Sequence, residues 1–171
     1  MDKTIQNLAR LYINKCQDYV KYTILGEISY NKSFSVLQQY FNTFARQELT
    51  HSKILNELLQ DITENSCESV EVPIIMKNIN TNDLLALINQ EIIREKYNGF
   101  TKYKLYAKIA KDEGYKEIAD VLLLLAECEL SHYEALESLK KILIEDNSRF
   151  CVDCGVSLNK DKCPLCKKIN L

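Results

Sequence analysis

The only two histidines in this chain each close a repeated pattern, Glu48-Leu49-Thr50-His51 and Glu129-Leu130-Ser131-His132. A carboxylate and an imidazole three residues apart share one face of a helix. Both pairs sit where core side chains belong. The first interrupts the stripe Leu37, Phe41, Phe44, Glu48, His51, Leu55, Leu58, Ile62. The second interrupts Ile118, Leu122, Leu125, Glu129, His132, Leu136, Leu139, Leu143. Every step is three or four residues, the period of a buried helix face. Taking a carboxylate out of water is costly unless something compensates it. Two Glu-x-x-His pairs facing each other across a bundle are how a di-metal carboxylate site is built.

Such a site takes six protein ligands, and the other two helices supply one carboxylate each. Glu95 fits for one of them, in the stripe Leu85, Ile88, Ile92, Glu95, Gly99, Tyr103, Tyr106, Ala110, with Gly99 leaving room one turn on. The sixth is missing. Counting back from Glu48 by the interval between Glu95 and Glu129 lands on Asn14, and one residue further on is Lys15. If Lys15 faces the core, the stripe is Leu8, Leu11, Lys15, Asp18, Tyr22, Leu25. Asp18 and Tyr22 then aim at the site, and Asp18 is a candidate displaced ligand. On the alternative face, Leu8, Tyr12, Cys16, Tyr19, Thr23, Lys15 points to solvent. The first face is preferred. It predicts that the Lys15 ammonium pairs with a site carboxylate, Glu48 first.

Four Gly and two Pro in 171 residues argue for long helices and few turns. The pattern predicts an all-α fold of four helices. They run from about Asp2, as N-cap, to Tyr30; from Ser33 or Ser35 to Ile62; from Thr81 or Asn82 to a Gly114 C-cap; and from Tyr115 to Asp146. At 1.5 Å per residue, helices of this length reach about 45 Å. Residues 63–80 form a connection containing Pro73. The order is hairpin, long connection, hairpin, an internal duplication of a helical pair. A bundle domain over residues 1–146 is followed by a Cys-rich tail over 147–171.

In that tail, Cys151-Val152-Asp153-Cys154 precedes Cys163-Pro164-Leu165-Cys166. Two such knuckles present four thiolates tetrahedrally to zinc or iron. The short loop and the lack of any aromatic beyond Phe150 favour a zinc ribbon, with iron as the alternative. Cys16, Cys67 and Cys128 are scattered and odd in number, which fits free thiols in a reducing compartment and not a disulfide framework.

A formal net charge of −2 gives no electrostatic reason to expect a nucleic-acid or anionic-membrane partner. The start of the chain lacks the basic and apolar regions of a signal peptide. The longest apolar run, residues 121–126, is far below the roughly 20 needed for a membrane span. A cytoplasmic protein is expected.

The whole pattern resembles the rubrerythrin family, a ferritin-like four-helix bundle followed by a rubredoxin-like iron–thiolate domain. The resemblance is strongest from Glu95 to Leu136, through residues 107–115 and Glu129-Leu130-Ser131-His132. In the first half, Phe41 to His51 matches, with Ala45 and Gln47-Glu48. It implies that Glu48 and Glu129 bridge two irons, that His51, His132 and Glu95 are terminal ligands, and that Tyr22 and Tyr103 stand near the site. It also implies reduction of hydrogen peroxide in oxidative-stress defence, with electrons arriving through the thiolate iron or from a redox donor protein. A homodimer is the implied assembly. Three departures stand out. Lys15 replaces the family's first-helix glutamate. Asn98 replaces its extra glutamate one turn after the third-helix ligand. The tail loop is several residues shorter. These keep an alternative open: a non-catalytic or mononuclear metal-binding relative with a structural zinc ribbon.

Overall fold

The computed structural model describes residues 2–63, 83–145, 149–150 and 157–158. The helices are α1 (Lys3–Asn31), α2 (Ser35–Thr63), α3 (Leu84–Tyr97), a π-helical turn (Asn98–Lys102), α4 (Tyr103–Asp112) and α5 (Lys116–Glu145). α3, the π turn and α4 follow one another without a break, so they act as the third helix of a four-helix bundle. α1 pairs with α2, and α3 and α4 pair with α5. β1 (Arg149–Phe150) and β2 (Ser157–Leu158) form a short antiparallel pair, with Arg149 opposite Leu158. The two Cys-x-x-Cys knuckles lie outside the described residues. No helix among the described residues is long and apolar enough to cross a membrane.

The stripes read from sequence are the buried faces of α1, α2 and α5. They pack into two apolar layers. One contains Leu25, Leu37, Phe41, Phe44, Ile88 and Leu136. The other contains Leu8, Leu11, Leu55, Leu122 and Leu125. The polar residues Lys15, Glu48, Glu95 and Glu129 lie at the corresponding mid-helix positions, each no more than 1% exposed. Burying apolar area on both sides supplies the free energy that offsets desolvation of this layer.

Several local expectations are corrected. Asp2 stands at the start of α1, but its side chain makes no cap. Its carboxylate accepts from Tyr115 Oη instead. Glu113, across the bundle, accepts from the backbone N–H of Lys3 and Thr4 and from the Thr4 hydroxyl. The third helix begins later than expected, because Asp83 caps it by accepting from Ala86 N. Leu84 and Leu87 take the core positions, and Leu85 is only half-buried.

Gly99 does not leave an open space. An added Cβ would lie 2.6 Å from Leu130 Cγ and 2.9 Å from the Ala126 carbonyl. The missing side chain lets α5 approach the π turn. Gly99→Ala should therefore lower stability by about 1–3 kcal/mol, read from denaturant unfolding of the metal-free protein. Adding Leu130→Ala should recover part of the loss. An unchanged midpoint in the single variant would contradict this packing.

Candidate metal centre

Each of the four helices contributes to the buried polar centre. α1 brings Lys15, Asp18 and Tyr22. α2 brings Glu48 and His51, α3 brings Glu95, and α5 brings Glu129 and His132. The face of α1 is the one containing Lys15. Its ammonium is 2.7 Å from both oxygens of Glu129 and 2.8 Å from Glu48 Oε2. It also lies 5.8 Å from the centre of the Tyr103 ring. Glu48 was expected as its first partner; Glu129 shares it and binds through both oxygens.

The ligand atoms of Glu48, Glu95, Glu129 and His132 all lie within 4.8 Å of one another. His132 Nε2 donates to Gln47 Oε1 at 2.9 Å. In the tautomer with its proton on Nε2, the Nδ1 lone pair faces the group, as metal-bound imidazoles are held. His132 Nδ1 is 3.2 Å from Glu48 Oε1. Neither atom, nor Glu95 Oε2, has a hydrogen-bond partner among the described residues. Buried polar atoms are normally satisfied. Orphaned acceptors converging from different helices fit a cation, so these four residues suit one metal ion.

His51 stands apart from that group. Its Nδ1 is 3.3 Å from Glu48 Oε2 and 4.0 Å from Glu129 Oε1, on the ammonium side. Asp18, the candidate displaced ligand, is not one of those four residues either; its Oδ2 is 3.5 Å from Lys15 Nζ. Arg94 of α3 binds Asp18 Oδ1. The same guanidinium reaches Glu95 Oε1 at 2.7 Å and pairs with Glu91, which Lys21 contacts at 3.2 Å. Tyr22 donates to Glu95 Oε1 at 2.6 Å. The Tyr103 hydroxyl is buried with no partner among the described residues.

Three contributors were not singled out for their roles from sequence: Arg94, Asn98 and Gln47. Asn98 lies in the π turn and donates to Glu129 Oε2 at 3.1 Å. A signal for that turn exists. The buried positions Glu91, Glu95, Gly99, Tyr103 and Ala107 advance by four residues at every step. Each step overshoots an α-turn by about 0.4 residue. The wider π turn, a feature frequent at functional sites, absorbs the accumulated drift.

The electrostatics follow from this crowding. Burial alone would lower the Lys15 pKa, but Glu129 and Glu48 outweigh it and hold the ammonium charged. Burial likewise opposes ionisation of Glu48, and Lys15 outweighs it, holding Glu48 well below the usual carboxylate range. Burial pushes Glu129 up despite Lys15, with Glu95 and Glu48 adding to the effect. Burial also pushes Glu91 up to about 7. Both tyrosines are raised, chiefly by burial, and keep their protons.

A family model for rubrerythrin matches residues 6–140. This chain belongs to the rubrerythrin family. It is 29% identical over 187 residues to a rubrerythrin-related protein of Methanocaldococcus jannaschii, covering 97% of this chain and 89% of the relative. It is 25% identical to a rubrerythrin of Clostridium perfringens, covering 96% and 89%. Nigerythrin in a partially reduced state superposes with a TM-score of 0.71 at 20% identity, covering 97% of this chain and 82% of nigerythrin. The fold is the ferritin-like four-helix bundle, and iron is the metal the family implies.

Proposed function

We propose that this rubrerythrin-family chain is a non-haem iron protein that reduces hydrogen peroxide. The observation that carries the reading is the buried group of Glu48, Glu95, Glu129 and His132, with its unpartnered acceptor atoms. Reduction of hydrogen peroxide to two waters consumes two electrons and two protons. Bound iron would supply redox chemistry at this group, replenished by the thiolate metal of the tail or by a redox donor protein. The two knuckles are proposed to hold that tail metal as iron; with zinc there instead, the electrons come from the donor protein, because zinc has no redox chemistry. A cytoplasmic homodimer belongs to the same reading.

The chain's own residues orient and protonate. Tyr22 fixes one oxygen of Glu95 and leaves the other for the metal. Arg94 holds Glu95 ionised against burial. Tyr103 keeps its proton and has no competing partner among the described residues, so its hydroxyl is the donor left for a peroxide oxygen.

The test is peroxide consumption by the iron-loaded full chain with an excess of reductant. Turnover should exceed that of free iron, and Tyr103→Phe should reduce it by at least about 10²-fold, the lower end for a positioned proton donor. A loaded protein that consumes no peroxide above background would remove the enzymatic reading. The second reading, a non-catalytic metal-binding relative, is favoured by one observation, the lysine at the centre of the site. The same assay decides between them.

A further inference from the structure

A di-metal carboxylate bundle requires a carboxylate from the first helix, and the chain has Lys15 at the corresponding place. We propose that the Lys15 ammonium is a tethered substitute for one of the two metal ions. The bundle then binds a single divalent ion, held by Glu48, Glu95, Glu129 and His132. This inference does not depend on peroxide being the substrate.

The geometry divides the site into two halves. On one side, Nζ contacts Glu48 Oε2 and both oxygens of Glu129 at 2.7–2.8 Å, with His51 Nδ1 facing the same two carboxylates. A metal bound by those oxygens would sit about 2.0–2.2 Å from them. That position is taken by the ammonium and its hydrogens. The metal group keeps three ligand atoms that have no hydrogen-bond partner among the described residues: Glu48 Oε1, Glu95 Oε2 and His132 Nδ1. Glu48 thus offers one oxygen to the lysine and the other to the group with His132.

Charge points the same way. Lys15 already places one positive charge between Glu48 and Glu129, and a second divalent ion beside it would add like-charge repulsion in a buried site. Replacing Lys15 by a carboxylate removes one positive charge and adds one negative, which favours a second ion.

The test uses the full chain, stripped of metal and titrated anaerobically with cobalt(II). Thiolate-to-cobalt absorption counts ions on the tail cysteines, so bundle ions are the remainder of the total. Wild type should bind one bundle ion per chain, and Lys15→Glu should bind two. Two ions in wild type, or none, overturns the proposal. So does a folded Lys15→Glu variant that still binds one. Should that variant fail to fold, the wild-type count decides by itself. Peroxide turnover is measured separately, so its failure would leave this count standing.

Discussion

Lys15→Met should cost the metal-free protein about 3–5 kcal/mol, the usual effect of stripping one partner from a buried ion pair. Methionine fills much of the same volume, so packing changes little. What changes is that Glu48 and Glu129 lose the cation held 2.7–2.8 Å from them while staying buried. Each can respond by taking up a proton. The sign of the pH dependence follows. A carboxyl whose folded pKa is raised contributes stability that is complete below its unfolded pKa. That contribution is lost as pH rises through its folded pKa. Glu48 is lowered by Lys15 in wild type, so the substitution reverses its contribution. The deficit of the variant should therefore be small near pH 4 and grow toward pH 8. Denaturant unfolding in chelator across that range measures it. Added divalent metal should restore part of the loss, since binding to the folded state alone stabilises it. A variant as stable as wild type at pH 8 would show that Lys15 does not compensate these carboxylates.

How much of this was legible in sequence depended on whether the relevant contact lies along one helix or between helices. The stripes through Glu48, His51, Glu129 and His132 have a three-to-four period because each face is buried along its whole length, so their convergence could be read directly. Lys15 was legible for the same reason: it lies between Leu11 and Tyr22 on an otherwise coherent face. Asp18 shares that face, yet its partner is Arg94, 76 residues away, and nothing in the first helix announces it. The split of Glu129 between Lys15 and Asn98 depends on the π turn, which shows in sequence only as a run of four-residue steps. Gly99 was read as room, whereas it is a close approach, because the filling atoms belong to Leu130 on another helix. The capping of α1 by Glu113 was hidden in the same way. The Cys-x-x-Cys spacing was the plainest motif of all, and its four thiols lie outside the described residues.

The duplicated sequence makes the two histidines look equivalent, but the structure separates them, and their substitutions should differ widely. His132→Ala removes the only imidazole among the four clustered ligands, and should weaken bundle metal binding by well over about 100-fold. Loss of an outer-shell partner alone typically costs 10–100-fold. Gln47→Ala, which frees the Nε2 proton of His132 from its acceptor, should fall in that smaller range. His51→Ala should leave bundle affinity within about 10-fold of wild type, because its ring faces the ammonium half of the site and the metal group does not include it. The His51 ring is within 6.1 Å of the His132 ring, so loss of packing is the main consequence expected there. Titration of metal-free full-length variants with cobalt(II), with the thiolate band subtracted, gives all three affinities. Equal losses for the two histidine variants would mean that both halves of the site hold metal. They would also mean that the ammonium gives way on binding.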